Sequence, residues 1–190
     1  MTENDVLKIV LGRLGVGAAI PAITSQLAGV LIDISSRADF LTAESTVNTV
    51  AGQSSYDLPG NFKNMYEAVL DGQPMDKLTY REFLALGAGE GLPAAYTVRH
   101  GKLYLWPTPD QAVAVTLDGA VYHPRQFTDI LFEDQFHETI IAGVLAQLWR
   151  EKNPEKADSE NPHKTAFEAC IETLIAALDT EPAIVEYREI

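Results

Sequence analysis

Residues 95–109 read AYTVRHGKLYLWPTP. Two runs rich in β-branched and aromatic residues, Ala95 to Arg99 and Lys102 to Trp106, flank the pair His100-Gly101. Two such runs separated by two turn-forming residues form a hairpin signal. Trp106-Pro107-Thr108-Pro109 then closes the second run, because proline has no N–H with which to continue a ladder. That explanation is stronger than reading the prolines as a ligand motif for a partner. The middle of the chain is therefore sheet.

The same period extends on both sides of this hairpin. Upstream, Thr46 to Val50, Ser54 to Leu58 and Tyr66 to Leu70 read as short strands, stopped in turn by Pro59-Gly60 and Asp71-Gly72. Downstream, Val113 to Leu117 alternates, and Asp118-Gly119 either turns the strand or bulges it. Only Tyr80 to Leu86 looks helical between Ser45 and Tyr122. No strand in this block is followed by the dozen-residue helix that a parallel crossover needs, so the spacing predicts an antiparallel sheet.

Helical period frames the block. At the start, Leu7, Val10, Leu11 and Leu14 share a face, Thr2 and Asp5 make a short version of a capping box, and Gly15 and Gly17 end the helix. Pro21 opens a second helix whose stripe is Ile23, Leu27, Val30, Leu31 and Ile34. After the sheet, Phe136, Ile140, Val144 and Leu148, with Ile141, Leu145 and Trp149, form a broad stripe that ends at Lys152-Asn153-Pro154. The acidic residues from Asp129 to Asp134 suit the start of that helix. Phe167, Ile171, Leu174, Ile175 and Leu178 line the last one. The expected fold is α+β: a mainly helical bundle of about four helices (3–14, 21–40, 130–152, 163–179) with an antiparallel β insertion (45–122) between the second and third. It makes one domain, 1–179, followed by an extended C-terminal tail, 180–190.

Composition narrows the function. The chain has 190 residues, 46% of them hydrophobic, enough for a real core. Its 27 acidic and 14 basic residues give a net charge of −13. A polyanion gains nothing from counterion release on DNA, so sequence-specific DNA binding is not expected, although a repulsive wall past which DNA slides is. One cysteine, Cys170, rules out an internal disulfide and a multi-cysteine metal site, and fits a reducing cytosol. Met1 to Val10 has no basic signal-peptide region, and Leu14 to Ile23 is too short and too broken by Gly15, Gly17 and Pro21 to span a bilayer. No membrane attachment is expected.

No motif for chemistry is complete. Gly12, Gly15 and Gly17 lack the third phosphate-loop glycine, since position 20 is Ile20, and no strand precedes them. His137-Glu138 opens like a zinc-protease motif, but Ile141 stands where the second histidine belongs. His100, His123, His137 and His163 are scattered. Cys170 reads as a small core residue, with nothing beside it in sequence to lower its pKa. Glu133, Asp134 and Glu138 read as a charged helix start rather than a glycosidase pair. No catalytic residue, metal ligand or cofactor is expected.

Several phrases, in order, carry a resemblance. Arg37-Ala38-Asp39-Phe40 closes the second helix. Thr49-Val50-Ala51-Gly52-Gln53-Ser54-Ser55-Tyr56-Asp57-Leu58-Pro59-Gly60-Asn61-Phe62 follows. Then come Leu70 to Met75, Pro93-x-x-Tyr96, and Leu103-Tyr104-Leu105-Trp106-Pro107-Thr108-Pro109. From about Leu27 to Asp179 the chain resembles the head-to-tail adaptor (connector) proteins of tailed bacteriophages, with Asn61 where an aspartate is common. The resemblance implies that Asp39, Phe40, Tyr56, Leu58, Pro59, Phe62, Pro107 and Pro109 determine the fold rather than catalyse. It also implies a non-enzymatic virion protein at the head-tail junction, present in the host cytoplasm before assembly. There it would form a homo-oligomeric ring, typically of twelve copies, on the portal protein. The ring would extend the DNA channel and dock a downstream tail protein.

The tail has no apolar partner near it in sequence. Ile184, Val185, Tyr187 and Ile190 are therefore the residues expected to bind the portal, by adding to a sheet edge or lying in a groove. Two rival functions remain: a virion-associated hydrolase acting on the cell wall, and a monomeric assembly chaperone.

Overall fold

The computed structural model describes residues 2–14, 20–127, 129–156 and 158–180. The chain forms two compact units, one of Met1–Ala38 with Pro124–Ile190 and one of Asp39–His123. Five α-helices lie among the described residues: α1 (Glu3–Leu14), α2 (Ile20–Arg37), α3 (Tyr80–Ala85), α4 (His137–Lys152) and α5 (Pro162–Thr180). All but α3 belong to the first unit.

In the helical unit, Thr2 caps α1. The Asp5 carboxylate accepts from the Thr2 backbone N–H (3.0 Å) and hydroxyl (2.8 Å), and Thr2 Oγ1 accepts from the Asp5 N–H. The backbone N–H and hydroxyl of Thr2 together hold the Asp5 carboxyl below its ordinary value. The face that α1 buries is Val6 and Val10. Leu7, Leu11 and Leu14, expected at the centre of the stripe, lie half-buried at its margin. Helix α2 buries the expected stripe. It stops at Arg37 rather than at position 40, and Asp39 and Phe40 belong to the other unit.

Helix α4 is buried on most of its circumference and touches α1, α2 and α5, which makes it the central helix. It starts at His137, later than the expected 130, after a 3₁₀ turn over Asp134–Phe136. Gly143 sits where α4 meets its neighbours. A Cβ there would lie 2.6 Å from Val30 Cγ1 and 2.9 Å from Phe167 Cε2, so the missing side chain is what lets α2 and α5 approach. Asn161 begins α5. It is buried, its Oδ1 accepts from the N–H groups of His163 (3.1 Å) and Lys164 (3.3 Å), and its Nδ2 donates to the Ala146 carbonyl of α4 (2.9 Å). One side chain thus caps α5 and ties it to α4.

The second unit carries ten strands: β1 (Thr42–Asn48), β2 (Ser55–Asp57), β3 (Phe62–Leu70), β4 (Gln73–Pro74), β5 (Asp76–Lys77), β6 (Glu90–Gly91), β7 (Ala95–Arg99), β8 (Lys102–Trp106), β9 (Thr108–Pro109) and β10 (Ala114–Val121). They form three sheets, ordered β1-β10-β3-β4, β2-β8-β7-β5 and β6-β9. The two hairpins read from sequence are present. Asp71 and Gly72 both have positive φ between β3 and β4, and so do His100 and Gly101 between β7 and β8, as a two-residue turn with the right twist requires. Asp118-Gly119 does not turn the chain: it lies inside β10 opposite a bulge in β3, where Asp118 pairs with Glu67 and Gly119 with Met65, leaving Tyr66 as the extra residue.

The expected fold class is overturned. Five helices and ten strands in three sheets are not a mainly helical bundle with a decoration. The alternating strands bury a core of their own, with Tyr56, Met65, Tyr96, Leu103, Leu105 and Leu117 at its centre. The insertion is not purely antiparallel either, since β5 pairs with β7 and β6 with β9 in parallel. Those pairings are two residues long. The six-residue α3 and its flanking loops span the first of them, so the long helix demanded by sequence reasoning is not needed.

Candidate interaction surface

The family phrases near Tyr56 and Pro109 meet in the sheet unit. Thr49 is buried; its N–H donates to the Val113 carbonyl (2.8 Å), and its hydroxyl accepts from the Val113 N–H (2.8 Å) and donates to the Gln111 carbonyl (2.9 Å). Gly52, at φ +78°, donates to the Pro109 carbonyl (2.8 Å), and Leu105 donates to the Ser54 carbonyl (2.9 Å). Tyr56 closes the loop. Its ring is buried, and its hydroxyl donates to Gln53 O (2.6 Å) and accepts from the Val50 N–H (3.0 Å).

The other motif residues frame the same unit. Leu58 packs on the core and its N–H donates to Gly101 O (3.0 Å). Pro59 and Phe62 bracket a turn closed by Phe62 N–H to Pro59 O (2.9 Å), and Phe62 packs on the core. Asn61, where the family favours aspartate, accepts from the Tyr122 N–H through its main-chain carbonyl (2.8 Å). Pro107 separates β8 from β9, and the indole N–H of Trp106 donates to Gly87 O (3.2 Å). Phe40 is half-buried.

Asp39 anchors the entry to this unit. Its carboxylate pairs with Lys63 Nζ (3.0 Å) and accepts from the Tyr66 hydroxyl (2.9 Å) and Asn64 Nδ2 (3.4 Å). Burial opposes its charge, but the hydrogen bonds from Lys63, Tyr66 and Asn64 outweigh it and hold the carboxyl below its ordinary value. Burial and then the bond to Asp39 push the Tyr66 phenol up to about 12. A raised phenol pKa favours the protonated form in the fold. Its contribution to stability is therefore complete below the ordinary phenol value, about 10, and lost as pH rises through about 12. In an ultraviolet titration, Tyr66→Phe should remove one phenol that ionises near 12. Loss of a phenol that ionises at about 10 would contradict the Asp39 anchor.

The residues tested for chemistry are dispersed. Glu138 pairs with Arg13 on the surface (3.0 Å), His163 follows Pro162 at the start of α5, and Cys170 is half-buried on α5. Among the described residues no group of His, Cys, Asp and Glu is placed to hold a metal. A cavity of about 180 Å³ between α2, α4 and α5 is charged, but its cations are paired: Arg37 with Asp33 (3.0 Å) and Glu168 (3.2 Å), and Lys164 with Asp158 (2.7 Å).

Exposed apolar surface is the more telling feature. On α5, Phe167 and Ile171 are buried, Leu174 and Ile175 are half-buried, and Leu178 is 40% exposed. The stripe therefore surfaces toward the end of the helix. In the sheet unit the crossover exposes Leu84 (63%) and Leu92 (51%), with Leu86 beside them in sequence. Helix α3 buries no residue; Tyr80 and Phe83 meet the edge of Tyr104 at 6.1 and 6.3 Å. The sequence marks α3 but not the exposed leucines on and after it, Leu84, Leu86 and Leu92, which lie on either side of Gly87 and Gly91. Ile184, Val185, Tyr187 and Ile190 lie outside the described residues.

A family model described as the SU10 adaptor protein matches residues 5–186, nearly the whole chain. The chain belongs to the SU10 adaptor protein family. The SU10 adaptor family is one of structural proteins of phage particles, which places this adaptor in the virion among other head and tail proteins. No curated protein matches the chain. None of the adaptor's described helices is long and apolar enough to cross a membrane.

Proposed function

We propose that the chain is a head-to-tail adaptor that binds the portal as a ring of about twelve copies, extends the DNA channel and docks the next tail component. It does so without catalysis. The observation that supports this reading is the course of the α5 stripe, buried at Phe167 and Ile171 and exposed at Leu178. In sequence it continues into Ile184, Val185, Tyr187 and Ile190. Apolar surface that outgrows its own bundle calls for a partner. The net charge of −13 suits a channel wall that repels DNA and lets it slide.

Deletion of Thr180 to Ile190 is expected to leave a folded protein that no longer joins the portal. Co-sedimentation with purified portal rings, read beside circular dichroism of the truncated chain, measures both. Unchanged portal binding by the truncated chain would remove the tail from this role. A basic lumen in the assembled ring would remove the repulsive wall.

A further inference from the structure

Among the described residues, one long edge of the sheet unit is left open. In the sheet β1-β10-β3-β4 one edge is β4, two residues ending in Pro74, and the sheet β2-β8-β7-β5 ends in strands of three and two residues. Short strands and prolines are how sheets protect their edges. Strand β1 has seven residues, Thr42–Asn48, with no proline and no lysine, and among the described residues it pairs only with β10. The ladder phase follows from its ends, since Val121 N–H donates to Leu41 O and Thr49 N–H to Val113 O. Hydrogen-bonded positions alternate in an antiparallel pair. The N–H and C=O groups of Thr42, Glu44, Thr46 and Asn48 therefore point away from β10.

The outward face beside that edge carries an unbalanced charge. Glu44 stands opposite Asp118 of β10, and Asp118 stands opposite Glu67 of β3, so three carboxylates cross three adjacent strands on one face. Glu44 and Glu67 are exposed and Asp118 is half-buried, and none of the three has an ion-pair partner among the described residues. Like charges directly opposite each other destabilise a sheet. The inner face of β1 needs no partner: Ser45 and Val47 lie opposite the buried Leu117 and Val115.

We propose that the free edge of β1 accepts an extended segment of a second protein, which adds as a strand and sets a lysine or arginine against Glu44. The main-chain groups of Thr42, Glu44, Thr46 and Asn48 supply the hydrogen bonds. The acidic row selects a basic segment over a neutral or acidic one.

A fluorescein-labelled nonapeptide alternating lysine and valine tests this on the full chain, by anisotropy and by amide hydrogen exchange. Binding should slow exchange at Thr42, Glu44, Thr46 and Asn48 at least about tenfold, and the same peptide with glutamate for lysine should not bind. Thr46→Pro removes an outward N–H and no bond to β10, and should weaken binding about tenfold or more. Glu44→Gln removes the like-charge contact, so it should raise the melting temperature while also weakening binding. Protection elsewhere, or unchanged affinity in both variants, would refute the assignment. So would self-association of the free chain that Thr46→Pro abolishes, because a second copy would then hold the edge. Loss of β1 protection on deleting residues 181–190 would give the edge to the chain's own tail instead.

Discussion

Replacing Tyr56 by alanine should lower the unfolding free energy of the sheet unit by about 4 kcal/mol, the range for removing a buried aromatic side chain. Tyr56 does two things at once. Its ring fills the core shared with Met65 and Leu103. Its hydroxyl holds the loop from Val50 to Gln53 through bonds of 3.0 and 2.6 Å, and that loop is in turn bound to Pro109 through Gly52. Tyr56→Phe keeps the ring and should cost about 1–2 kcal/mol, the value of hydrogen bonds lost from a buried site. Two compact units need not unfold together, so a local probe is required. Trp106 lies in the sheet unit and Trp149 in α4, and denaturation followed by tryptophan fluorescence in a Trp149→Phe background isolates the right transition. If alanine and phenylalanine destabilise equally, the ring contributes nothing and the role given to Tyr56 is wrong.

Local structure was legible in the sequence; the balance between the units was not. Helix α2 announced itself through Pro21 and five spaced apolar residues, and the hairpin at His100-Gly101 through its turn pair, because both signals are local. The parallel pairing of β5 with β7 joins Asp76 to Ala95 and has no local signature, since its strands are two residues each. The sheet core escaped notice for a similar reason. Tyr56, Met65, Leu103 and Leu117 sit in four separate strands, β2, β3, β8 and β10, and only their pairing across two sheets brings them into one core. Among site residues, Tyr56 and Pro109 were marked by resemblance, but what links them, the Gly52 N–H on the Pro109 carbonyl, depends on tertiary geometry. The open edge of β1 was invisible, since the absence of a neighbouring strand cannot be read from the strand's own residues.

Gly119→Ala should cost about 3 kcal/mol, at the upper end for overpacking, because the obstacle is backbone. Asp118-Gly119 interrupts the register between β10 and β3. A Cβ built on Gly119 runs into the Asn64 carbonyl oxygen, lies 2.9 Å from Phe62 Cε1 and 3.1 Å from Met65 Cα. Gly119 does not have a positive φ, so missing bulk rather than freedom of conformation is what the bulge requires. Gly143→Ala is the control. Its Cβ would also be crowded, at 2.6 Å from Val30 Cγ1, but the neighbours are side-chain atoms that can shift. An alanine in a helix also gains up to about 1 kcal/mol over glycine. The net loss at Gly143 should therefore be about 1 kcal/mol, well below that at Gly119. Equilibrium denaturation of both variants decides it. Equal losses would mean that the strands at the bulge yield as easily as side chains in a helical core. In that case β10 would not be the rigid centre that holds β1 and β3 in register.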